Sequence, residues 1–156
     1  MQIRIINELN TTKSLSKDTI SEIDENRALR LELVEHFENT SDRDFAINFL
    51  NILKELRQNQ TFDISGDILM LACLILGKHN RVEDSLKIWK TKEIDWDTHC
   101  YIDIQLVLFA GVQKTLEYLK SQNSKVAKDA LEYITGCIDA GDFDDLENYY
   151  KRPWFV

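Results

Sequence analysis

Asp95 to Gln122, DWDTHCYIDIQLVLFAGVQKTLEYLKSQ, decides how the chain is read. From Cys100 to Ala110 only Asp103 and Gln105 interrupt an apolar run, and a helix with that profile is buried on most sides. Gly111 breaks the run. Beyond it Val112, Thr115, Leu116 and Leu119 follow the i, i+3, i+4, i+7 spacing of a helix lying on its neighbour. The stretch therefore predicts a central helix, a tight corner and a covering helix.

Working outward, the same period recurs. Phe45, Phe49, Ile52, Leu53 and Leu56 share one face of a segment that follows Asn39-Thr40-Ser41-Asp42, a run of turn formers and capping residues. Leu29, Leu33 and Phe37 form a similar stripe after a start near Ser16. ILMLACLIL (68–76) is rich in Leu, Met and Ala and is followed by Gly77 and Asn80, which predicts a buried helix rather than a strand. Residues 1–10 fit strand or helix, and with no partner strand elsewhere helix is favoured. Only 5 Gly and 1 Pro occur, too few for a turn-rich sandwich. The expected fold is all-α: a single domain over 1–156, either a bundle or a short array of stacked helical hairpins. Tyr149, Tyr150, Trp154 and Phe155 are expected to dock as a C-terminal aromatic tail.

An internal echo bears on the choice between bundle and array. VEDSLKIWK (82–90) and VQKTLEYLK (112–120) match in residue type at a spacing of 30, and AKDALEYIT (127–135) repeats the apolar face. Stacked hairpins would produce such an echo, and so would any helices packed on a core.

Charge excludes some functions. The net charge is −8, and residues 95–156 hold 11 Asp/Glu against 6 Lys/Arg. Phosphate recognition needs clustered bases, so direct nucleic-acid binding is not expected. MQIRIINELNTTKS lacks the apolar core of a signal peptide, and no run reaches membrane-spanning length. Cys73, Cys100 and Cys137 show no CxxC spacing, which predicts three buried thiols in a cytoplasmic protein.

No catalytic, metal or cofactor signature stands out. His99 and Cys100 are adjacent on a helix and diverge by about 100°, while His36 and His79 belong to other elements. DAGDFDDLE has its Gly third, out of register for a calcium loop. GxSxG, Walker and dinucleotide motifs are absent. Catalytic residues, metals and cofactors are accordingly expected to be none, although the clustered Asp95, Asp97 and Asp103 leave an unrecognised carboxylate enzyme as a third reading. The conspicuous feature is acids interleaved with aromatics. Trp89, Trp96 and Tyr101 bracket Asp95, Asp97 and Asp103, and Asp142, Asp144, Asp145 and Glu147 precede Tyr149. Aromatic anchors ringed by one sign of charge suit a protein-binding surface.

YIDIQLVLFAGVQKTLEYLKSQ and AKDALEYITGCIDAGDFDDLENYYKR carry a resemblance. In their buried segment, Gly corner, T-LEYL helix, acidic GDFDDLE and tyrosine-rich end, residues 95–152 resemble small helical immunity proteins encoded beside bacterial polymorphic or contact-dependent toxins. The resemblance implies a cytoplasmic inhibitor that binds a cognate toxin C-terminal domain, often a basic nuclease, with no chemistry, nucleic acid or membrane of its own. The alternative reading is a tetratricopeptide-like helical-repeat adaptor for a peptide or protein, motivated by the 30-residue echo.

Overall fold

The computed structural model describes all 156 residues, and every regular element is helical. Ten α-helices follow in order: α1 Gln2–Thr12, α2 Lys17–Glu25, α3 Arg27–Asn39, α4 Arg43–Asn59, α5 Gly66–Gly77, α6 Asp84–Lys92, α7 Trp96–Tyr101, α8 Val112–Ser121, α9 Lys125–Ala140 and α10 Leu146–Lys151. A 3₁₀ segment, Ile104–Leu108, separates α7 from α8. The chain divides into two compact units, residues 1–79 with 155–156, and residues 80–154.

In the first unit, polar side chains start the helices and apolar ones hold them. Ser16, Asn26, Asp42 and Ser65 each accept a hydrogen bond from the backbone N–H three residues on, opening α2 to α5. Such a cap satisfies one of the amides a helix start leaves orphaned, a contribution of about 1 kcal/mol. The helix buried all round is α5, whose residues Ile68 to Gly77 are all buried. It packs on α2, α3 and α4. One charged side chain belongs to this interior. Arg30 donates to the carbonyls of Ile23 and Asp24 at the end of α2 and to Phe155 O, and it lies 3.5 Å from Asp67. Arg27 donates to Val156 O at 2.9 Å, so two arginines of α3 hold the last two residues of the chain.

In the second unit, α6 packs on the 3₁₀ segment, α7 and α9, and α8 packs on α9. Here the expected helix from Cys100 to Ala110 is corrected. α7 ends at Tyr101, Ile102 and Asp103 are extended, and the apolar residues continue as a 3₁₀ turn. Burial is as the apolar run predicts, since Ile102, Leu106 and Leu108 are fully enclosed. The periodicity is not, because a run apolar all round carries no phase and three of its residues, Ile102, Ile104 and Val107, are β-branched. Gly111 at φ 99° makes the corner into α8, and Thr115 and Leu119 bury while Val112 and Leu116 are half-buried.

The expectation of three buried thiols also changes. Cys73 is buried, but Cys100 is exposed and Cys137 half-buried. Gly141 ends α9 at φ 81°, and the amide of Asp142 turns back to Cys137 O, so Asp142 helps to close α9. The N-cap of α10 is Asp145. The echo survives as a shared face: Ser85 and Trp89 bury on α6 as Thr115 and Leu119 do on α8. Ser85 Oγ donates to Val82 O at 2.7 Å and Thr115 Oγ1 to Gly111 O at 2.8 Å, each hydroxyl returned to its own turn. What precedes the two copies differs, a twelve-residue helix before α6 and a 3₁₀ turn before α8.

Candidate functional site

α6 supplies the floor of the site. Ser85, Ile88, Trp89 and Lys92 fall at i, i+3, i+4 and i+7, so a lysine occupies an apolar register and only 2% of it reaches solvent. Its ammonium donates to the carbonyls of His99 and, at 2.7 Å, Ile102, the orphan acceptors at the end of α7. Burial lowers the Lys92 pKa below 10.5, against the pull of Glu93 and Asp103. A cation at a helix C-terminus is also favoured by the helix dipole.

Two open clefts lie in this unit. One, about 500 Å³, is lined by Lys92, Trp96, His99, Asp103, Tyr133 and Asp142 among others. The second, about 420 Å³, is lined by Gln105, Asp142, Asp144, Asp145, Asn148 and Tyr149 together with Gly141. They share Gln105 and Asp142, and Gln105 Nε2 donates to Asp142 O at 3.1 Å.

Aromatic rings border the first cleft in a line from solvent to core. Trp96 is 76% exposed and lies nearly parallel to the His99 ring, centroids 5.9 Å apart. His99 meets Tyr133 edge-on at 5.4 Å, and Tyr133 meets the buried Trp89 at 5.4 Å. His99 Nδ1 is held by Glu93 Oε1. A second line starts at Tyr101, which packs edge-on against Trp154. Asp103 Oδ2 joins that line to the next by accepting from both Tyr149 Oη and Trp154 Nε1 at 2.7 Å. Tyr150 stacks on Phe109 at 4.1 Å and donates to Gln105 O at 2.6 Å, and its burial pushes the phenol pKa up. The C-terminal aromatic tail is thus docked through its hydroxyls and indole N–H as well as its rings.

The acids and aromatics singled out from the sequence occupy different situations. Asp95 is the N-cap of α7 and forms a reciprocal capping box with Thr98, so its carboxylate is engaged locally. Asp97 is exposed on the first turn of the same helix. Asp145 Oδ1 accepts from Asn148 Nδ2, and Glu147 pairs with Lys151 at 2.6 Å, which lowers the Glu147 pKa. Trp96, Asp103 and Asp142 come together around the first cleft, and Asp142, Asp144, Asp145 and Tyr149 around the second. Trp89 lies in the core, and Trp154 at 52% exposure takes an outer place instead. Lys92, Gln105 and Tyr133 also line the first cleft without having been singled out, and His99, weighed only as a metal ligand, lines it too. For Lys92 the signal was legible, a lysine in phase with Ser85, Ile88 and Trp89. For Gln105 and Tyr133 there was none.

Chemically the clefts present carboxylates, amides and ring faces. The Cys137 thiol is pushed up first by burial and then by its hydrogen bond to Asp142 and that residue's charge, which keeps it protonated and a poor nucleophile. No group of three His, Cys, Asp or Glu side chains comes together to hold a metal ion. No helix is long and apolar enough to cross a membrane. No protein-family model, curated protein or solved structure matches the chain.

Proposed function

We propose that this protein is an immunity-type inhibitor, which binds a cognate bacterial toxin domain through the acidic and aromatic face of residues 80–154 and neutralises it by contact alone. The observation that carries the reading is the meeting of the two clefts at Asp142, with exposed Trp96 on one side and Asp144 and Asp145 on the other. Protein-binding hot spots favour Trp and Tyr at the centre, with charge guiding encounter. A basic nuclease domain in the cytoplasm would be the complementary partner, drawn in by long-range attraction that salt weakens. The resemblance of residues 95–152 to helical immunity proteins points the same way. Inhibition of this kind asks no chemistry of the inhibitor.

The tetratricopeptide-like adaptor has less support. Its motivation is the echo of α6 in α8, and an array would need a helical hairpin before each copy, whereas a 3₁₀ turn precedes the second.

The test is a binding titration of the full chain against the C-terminal domain encoded immediately upstream, at two salt concentrations. Tight binding that weakens with salt, with loss of that domain's toxicity, is expected. Reversing Asp142, Asp144 and Asp145 together should slow association about tenfold or more while leaving the helical signal intact. Absence of binding would sink the inhibitor reading and favour a search for a peptide partner.

A further inference from the structure

We propose that the cleft bordered by Trp96, Asp103 and Asp142 receives an arginine side chain of the partner. This rests on the inhibitor reading above and specifies the chemistry of one contact.

The electrostatics select a cation. Asp103 and Asp142 both line the cleft, while His99 is paired with Glu93. The one formal cation there, Lys92, lies beneath the surface and is already bonded to the carbonyls of His99 and Ile102. An incoming anion would meet two carboxylates and a lysine whose donors are largely spent. An incoming cation meets the two carboxylates with Lys92 held below them.

The shape of the lining then selects a guanidinium. Trp96 offers an indole that is mostly in solvent, with His99 stacked parallel to it within 17°. A planar, weakly hydrated cation stacks on such a ring and keeps its edge N–H groups for oxygen acceptors, which a compact ammonium does less well. Those acceptors are in place. Asp103 is fixed by two donors on Oδ2, so its carboxylate is pre-positioned and little ordering is left to pay for on binding. A bare metal ion is the weaker candidate, since no three ligating side chains converge. At about 500 Å³ and open to solvent, the cleft has room for a long side chain.

The test uses the isotope-labelled full chain and three blocked tripeptides, Gly-Arg-Gly, Gly-Lys-Gly and Gly-citrulline-Gly, with the Trp96 indole resonance assigned from Trp96→Phe. The arginine peptide should shift the Trp96 indole and Gln105 side-chain amide signals saturably. The neutral citrulline peptide should not, and lysine should bind several-fold more weakly. Trp96→Ala and Asp142→Asn should each weaken the arginine response about tenfold. Equal responses to arginine and citrulline, or shifts scattered over other surfaces, would overturn the cleft assignment. Lysine binding as well as arginine would overturn the guanidinium. The inhibitor reading fails separately: a toxin domain that binds Trp96→Ala as tightly as the wild type removes the cleft alone. A selective arginine response with no toxin-domain binding supports the cleft and removes the inhibitor.

Discussion

In residues 1–79 one helix, α5, gives ten consecutive residues to the interior, whereas in residues 80–154 no helix buries more than the six of α6. The two units hold nearly the same charge, 13 acids against 9 bases in the first and 14 against 10 in the second. Net charge therefore does not distinguish them. Their interiors do. Of the eight buried polar or charged side chains, only Thr19 and Arg30 belong to the first unit, and Asp84, Ser85, Thr91, Lys92, Thr98 and Thr115 belong to the second. Their surfaces differ too, because every exposed large aromatic, Trp96, Tyr101, Tyr133 and Trp154, lies in the second. The second unit thus buries fewer apolar and more polar side chains, with Lys92 tying α6 to the end of α7, and it leaves its aromatics at the surface.

The contrast can be broken most directly in α5. Leu71→Ala removes a fully buried side chain and should cost about 3 kcal/mol, read from urea unfolding. A loss below about 1 kcal/mol would mean that α5 does not dominate the first unit. Lys92→Met keeps the length of the buried stem but withdraws the donor from two carbonyls, and should cost about 2 kcal/mol. A more stable variant would show that the second unit prefers apolar filling after all, as buried charges replaced by apolar groups sometimes do.

Titration sharpens the same comparison, because the two interiors respond to alkali with opposite sign. Burial raises the Cys73 thiol from 9.0 to about 12. The unfolded chain loses this proton near 9.0 and the folded chain keeps it, so the stabilisation is whole below pH 9 and is lost as pH climbs towards 12. The slope approaches 1.4 kcal/mol per pH unit, and Cys73→Ala should flatten it. Lys92 behaves inversely. Its lowered pKa lets the folded state shed a proton before the unfolded one, so stability rises with pH up to 10.5, and Lys92→Met should remove that rise. Unfolding curves of both variants across pH 8 to 11 would decide; parallel slopes would contradict the assignment. The smallest expected effect on stability is at the surface. Trp96→Ala should stay within about 0.5 kcal/mol of the wild type while weakening partner binding. Marked destabilisation would make Trp96 structural rather than an anchor.

Much of the helical plan was legible in the residues. The stops at Asn39-Thr40-Ser41-Asp42, at Gly77, at Gly111 and at Gly141 lie at element ends, and the buried faces of α4, α8 and α9 follow their apolar spacing. Each of these signals is local, a cap, a breaker or a 3.6-residue period, and local chemistry suffices to set it. The site was legible only in part. Asp142, Asp144, Asp145 and Tyr149 meet at one cleft because they are close in sequence. Asp95 looked like a surface acid and is a capping residue, and telling the two apart needed the backbone.

By itself the sequence determined the fold class, the breaks at Asn39 to Asp42, Gly77, Gly111 and Gly141, and the presence of an acidic, aromatic-rich last third. Tertiary structure alone decided that Ile102 to Leu108 would leave the α-helix. There Lys92 takes the carbonyls of His99 and Ile102, and Asp103 turns to Tyr149 and Trp154, 46 and 51 residues away. It also decided that Trp96, Gln105, Tyr133 and Asp142 would face one cleft. Those partners come from separate elements, and no short-range preference encodes a bond whose other half lies on a distant turn of the chain.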